Sequence, residues 1–139
     1  MKITPQFPRT RPLTVTILVV FVLFITVWNV LRTYVAFTNW EVLYGYENNP
    51  AYVFASGLIW TTAGITLSLG LVRGKRLALP AGFVLSVLYL VWYWLDRLII
   101  QASPAGNVEF SAIVSGIMFA IYNLLLYWPS SRVFFKETG

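Results

Sequence analysis

The sequence predicts an all-α membrane protein, a four-helix up-down-up-down bundle with left-handed packing and both ends of the chain in the cytoplasm (N-in/C-in). Three observations predict it. Four apolar stretches are each about 20 residues long, the length a helix needs to cross a bilayer. The basic residues gather in alternate joints between those stretches. Each stretch also carries a stripe of small or polar residues on one helical face. Composition agrees, since a chain that is 58% hydrophobic and 11% charged holds more apolar surface than a soluble core of 139 residues can bury.

The first span is read as 13–37, following the basic residues Lys2, Arg9 and Arg11. Its apolar run is longer than a signal-peptide core, and Asn29 and Arg32 stand where a cleavage site would need small residues, so it is read as retained. Val22, Thr26, Asn29, Thr33 and Ala36 recur at spacings of four and three, the seam of a left-handed bundle. The joint Asn48-Asn49-Pro50 opens the second span, 51–72, where Gly57, Thr61, Gly64 and Ser68 form the stripe. Arg73-Gly74-Lys75-Arg76 separates it from the third span, 77–100. There Ala78, Gly82, Ser86, Tyr89, Tyr93 and Asp96 share a face. Ser103-Pro104-Ala105-Gly106-Asn107 leads to the fourth span, 110–128, with Ala112, Gly116, Ala120 and Asn123 as its expected packing stripe. Residues 1–139 then form a single integral membrane domain. Small and polar residues are placed at the helix contacts because lipid tails remove the hydrophobic drive between helices, leaving close packing and interhelical hydrogen bonds.

Eight of the ten basic residues fall before the first span, in the second joint or after the fourth span; Arg132 and Lys136 are the last two of these. The other joints carry Glu41, Glu47 and Glu109 and no Lys or Arg. The positive-inside rule therefore places both termini on the cytoplasmic side of the cell's inner membrane. The net charge of +5 is accounted for by topology, and no nucleic-acid partner is expected. Trp40, Tyr44 and Tyr46 on one side, with Tyr127 and Trp128 on the other, are expected at the two interfaces. The chain has no cysteine and no histidine, which removes thiol nucleophiles, imidazole bases, disulfides and ordinary zinc sites. No cofactor is expected, and no enzyme activity.

Ionisable groups inside a span are costly and mark the first place to look for a site. Arg32 and Asp96 each lie 19 residues from the basic-side start of their spans, Leu13 and Leu77, so they reach similar depth and are expected to pair. The candidate polar site is Asn29, Arg32, Tyr89, Tyr93, Asp96 and Arg97, either a structural clamp or an outward-facing polar-aromatic pocket. Catalysis is disfavoured there, because an arginine beside the single carboxylate at depth holds it ionised.

The start Arg11-Pro12-Leu13-Thr14-Val15-Thr16, the segment Trp92-Tyr93-Trp94-Leu95-Asp96-Arg97 and the end Ser131-Arg132-Val133-Phe134-Phe135 together resemble a group of uncharacterised bacterial four-span membrane proteins. The resemblance implies a bacterial cytoplasmic membrane and brings no ligand or catalytic residue with it. Three functional classes follow from the residues. The first is an accessory or structural subunit that contacts the lipid bilayer and associates as a homo-oligomer or within a larger membrane complex. The second is a small oligomeric transporter or channel, and the third a binder of lipid, quinone or pigment.

Overall fold

The computed structural model describes residues 11–45, 49–100 and 106–138. Lys2, Arg9, Tyr46, Glu47, Asn48, Ser103, Pro104 and Ala105, named above, lie outside the described residues. The described chain is all helical, with no strand among those residues. Four long helices, α1 (Leu13–Thr38), α3 (Pro50–Val72), α4 (Ala78–Leu95) and α5 (Val108–Leu126), correspond to the four expected spans. By length and composition all four can cross a membrane, counting α4 with the π-helical turn Asp96–Ile100 that continues it. Two short helices were not expected: α2 (Trp40–Gly45), just after α1, and α6 (Pro129–Thr138) at the C-terminal end.

Local chemistry explains where the spans stop. At the start of α3 the Asn49 side chain accepts from the Tyr52 N–H at 3.2 Å and Pro50 takes the first turn, where its missing N–H costs nothing. At its end, Gly74 sits at φ 64°, the Lys75 N–H donates to Gly70 O at 3.0 Å and the Gly74 N–H to Leu71 O at 3.2 Å. That pair of bonds is a Schellman cap, which satisfies carbonyls the helix leaves open and favours glycine in the left-handed position. Gly74→Val should therefore cost about 1–2 kcal/mol, read as a lower unfolding midpoint in detergent.

Helix α1 packs along most of its length on α3, and the two seams predicted for them meet. A Cβ on Gly57 would stand 3.1 Å from Asn29 O and 3.2 Å from Thr33 N, and one on Gly64 would collide with the Thr26 side chain. Thr26 and Thr33 themselves turn their hydroxyls back to Val22 O (2.7 Å) and Asn29 O (2.9 Å), so their polar atoms are satisfied within the helix. Gly57→Leu should push α1 from α3 and lower stability by about 1–3 kcal/mol, measurable by thermal unfolding in detergent.

The core sits at the end of the bundle that carries Arg73, Lys75 and Arg76, here called the basic end. Val15, Leu18, Val19 and Val22 of α1, Leu67 and Leu71 of α3, Ala78 of α4, Tyr122 and Leu126 of α5, and Phe135 of α6 form one buried cluster. Helix α6 closes it from below. Phe135 and Ser131 are fully buried, and the Ser131 hydroxyl donates to Leu125 O at 2.8 Å and lies in hydroxyl–hydroxyl hydrogen-bond contact with Thr14 Oγ1 at 2.9 Å. The Arg76 guanidinium donates to Lys136 O at 2.9 Å, tying the basic joint to the same helix.

One expected face is corrected. Ala112, Gly116 and Ala120 of α5 are exposed, and nothing stands within 4 Å of a Cβ added to Gly116. The face turned inward carries Ser111, Ser115, Phe119, Tyr122 and Leu126, one residue round from the small stripe. Phe119, Tyr122 and Leu126 bury far more apolar area than the three small residues, and burying that face leaves the small stripe outside. Over the most apolar stretch of each helix, 33% of α1 is buried but only 6% of α5.

Candidate functional site

At the end opposite the basic joint, three helices are tied together by polar and aromatic side chains. Arg32 of α1 and Asp96 form a two-bonded ion pair, Nη1 to Oδ2 at 3.0 Å and Nη2 to Oδ1 at 2.8 Å. The carboxylate side chain is 4% exposed and the guanidinium 18%, so the pair is largely shielded from its surroundings. The Arg32 guanidinium also lies 5.0 Å from the centre of the Trp92 ring, a cation–π contact. Trp92 Nε1 donates to the Tyr52 hydroxyl at 3.0 Å. Helix α3 thereby joins the pair.

Below this layer the rings of Trp60, Tyr89 and Trp92 form a triangle with centres 4.9 to 5.4 Å apart. Asn29, fully buried, donates from Nδ2 to Ile25 O at 2.9 Å and to the Tyr89 hydroxyl at 3.3 Å. The π-helical turn begins at Asp96 itself, and such turns widen a helix locally and recur at functional positions.

The second feature is a cavity of about 380 Å³ between all four long helices. Phe21, Phe24 and Thr26 of α1, Trp60, Gly64 and Leu67 of α3, Leu85, Ser86, Tyr89 and Tyr93 of α4, and the inward face of α5 line it. No charged side chain is among the lining residues. Its floor is the packed layer of Phe21 and Tyr122, whose ring centres are 5.6 Å apart. The wall between α1 and α5 is incomplete: Phe24 and Phe110 both line the cavity, yet are 71% and 69% exposed. Near the basic end α5 is held through Tyr122, Leu126 and Asn123 (Nδ2 to Ser86 Oγ, 3.4 Å), while the Arg32–Asp96 layer joins α1, α3 and α4.

The six residues singled out from the sequence are thus divided. Asn29, Arg32, Tyr89 and Asp96 belong to the clamp. Tyr93, one turn below Arg97, lines the cavity with its ring 5.6 Å from that of Trp94. Arg97 turns away from Arg32 and Asp96, and its Nη2 donates to Gly106 O at the approach to α5. Tyr52 and Trp60 went unnoticed in the sequence, although their spacing of eight puts them on one face of α3, offset from the glycine stripe. Ser111, Ser115, Phe119 and Tyr122 were likewise readable as a helical face, at spacings of four, four and three. Comparison with protein-family models, curated proteins and solved structures gave no match, so function is read from this geometry.

Proposed function

We propose that the chain is a non-enzymatic integral membrane protein that binds one amphipathic, lipid-class molecule between its spans. The supporting observation is the cavity of about 380 Å³, which falls within the range of small-molecule sites. Its walls are aliphatic and aromatic, relieved only by hydroxyls such as Ser86, Ser111, Ser115 and Tyr93. Such walls suit a hydrocarbon chain or a neutral ring. The gap between α1 and α5 opens sideways, the direction from which a lipid arrives. In this reading the spans run up-down-up-down with left-handed packing. The basic end faces the cytoplasm and the Arg32–Asp96 clamp lies near the far surface of a bacterial cytoplasmic membrane.

Gentle extraction followed by native mass spectrometry tests the proposal, with identification of what is released on heating. One retained small molecule per chain is expected. Ser115→Phe, which fills the cavity, should abolish retention while the chain still unfolds cooperatively. An empty protein, or retention that survives Ser115→Phe, overturns the reading.

A second reading, association with another copy, is favoured by the exposed stripe Ala112, Gly116 and Ala120, since small residues four apart let two helices approach closely in lipid. A cysteine placed at Gly116 should cross-link chain to chain in native membranes, and the same cysteine with Ala120→Ile should not. Transport of ions gains no support from a lining without charge.

A further inference from the structure

We infer that the basic end of the bundle is a docking surface for the headgroups of anionic phospholipids, built where helix α6 meets the joint between α3 and α4. The inference is independent of the cavity, whose lining holds no charged side chain.

Its starting point is the convergence of three segments that are far apart in the chain. Arg11 stands two residues before α1, Arg73, Lys75 and Arg76 fill the joint between α3 and α4, and Arg132 and Lys136 belong to α6. All six side chains are exposed. The Thr14–Ser130 hydroxyl contact of 3.0 Å brings the start of α1 to α6, and the Arg76 guanidinium, bonded to Lys136 O, brings the joint to it. Glu137 is the one acid among the described residues at this end. The positive-inside rule explains why these cations share a side of the membrane, but it does not require them to share one patch.

Helix α6 gives the patch its shape. Ser131 and Phe135, with Phe134 beside them, turn inward, so the helix lies against α1, α4 and α5 at the basic end. Arg132 and Lys136 are four residues apart, stand together on another face and point outward. Like charges at that spacing oppose each other, and the Arg76 guanidinium is brought to the same turn. An anion among these cations replaces repulsion with attraction. The phosphate of a lipid headgroup fits, since arginine meets its oxygens through a planar fork and lysine as a point charge.

Depth selects a lipid over a soluble acidic partner. Arg73 directly follows the end of α3 and Arg76 stands two residues before α4, so both lie at the level where a span leaves hydrocarbon. Tyr127 and Trp128, half-exposed between α5 and α6, are the aromatic rings expected at that same level. Leu13 and Leu77, close in sequence to Arg11 and Arg76, are 74% and 77% exposed, apolar surface that suits acyl chains below the headgroups. The opposite end presents Glu41 and Glu109 and gathers no such cluster among the described residues.

Nanodiscs of equimolar phosphatidylcholine and phosphatidylglycerol around the full-length protein test the inference, with the retained lipids counted by native mass spectrometry. Phosphatidylglycerol should be retained at least about fivefold over phosphatidylcholine, the preference that one cation near an anionic surface supplies, and a wash in concentrated salt should reduce it. Arg132→Gln with Lys136→Gln leaves the Lys136 carbonyl and the buried face of α6 in place, and should lower the preference at least about threefold. In the wild type the amides of α6 should exchange hydrogen more slowly in phosphatidylglycerol than in phosphatidylcholine, and in the double variant at equal rates. Equal retention of the two lipids by the wild type overturns the inference and leaves the surface to an acidic protein. A preference untouched by the double variant overturns it as well, because α6 then takes no part. A molecule held in the cavity is told apart by its dependence on Ser115 and its indifference to Arg132 and Lys136.

Discussion

Asp96→Ala is expected to lower the stability of the folded protein by about 3–5 kcal/mol, the cost of removing one partner from a buried ion pair. The loss comes mostly from what remains. Arg32 keeps its charge beside Trp92, within the bundle, with no carboxylate to receive Nη1 and Nη2, and its Nε is already buried without a partner. The double variant Arg32→Met with Asp96→Leu should recover most of the loss, because a well-packed apolar pair of similar size often equals or exceeds a buried ion pair in stability. Denaturation in mixed micelles measures both. If the double variant is as damaged as the single one, the pair does more than hold α1 to α4, and its charge itself is needed.

The clamp was legible in the sequence because its logic is one-dimensional. Arg32 and Asp96 stand at equal depth along their spans, and lipid gives a buried charge few alternatives to its opposite. The seams of α1 and α3 were legible for a similar reason: Thr26 and Thr33 recur on one helix as Gly57 and Gly64 recur on the other, and small residues fit where backbones approach. The same rule misplaced α5. Ala112, Gly116 and Ala120 satisfy the small-residue pattern as well as Gly57 and Gly64 do, and spacing alone does not tell a face packed within the chain from one left outside it. Large residues decided the matter, with Tyr122 and Leu126 turned into the core. The cavity was illegible for a related reason. It arises from how far α5 diverges from α1 and α4, and that divergence depends on which ends are tied, not on any local motif. Arg97 showed the limit of reading by position: it was grouped with its neighbour Asp96, yet a π-helical turn sends the two side chains to different helices.

Phe135→Ala is the other change expected to be large, and its size is bounded by how α6 is attached. Removing a fully buried phenylalanine costs about 3–5 kcal/mol where the surroundings stay in place. Helix α6 has another course open to it. Besides Phe135, its contacts include Phe134 packed against the same core, the Ser131 hydroxyl, a Thr14–Ser130 hydroxyl contact of 3.0 Å and the bond from Arg76 to Lys136 O. A ten-residue helix is marginal without tertiary support. Once the cost of the void exceeds what these contacts supply, α6 undocks locally and the four spans remain folded. Global unfolding should then shift by less than the full cost, while tryptic cleavage after Arg132 and Lys136 should accelerate about a hundredfold, as a local opening made roughly 3 kcal/mol easier requires. Cleavage at the wild-type rate would mean that the remaining contacts of α6, Phe134 among them, hold it without Phe135. Loss of all cooperative unfolding would mean instead that Phe135 supports the core formed by Leu18, Leu71 and Leu126, and that α6 is part of the bundle and not a cap upon it.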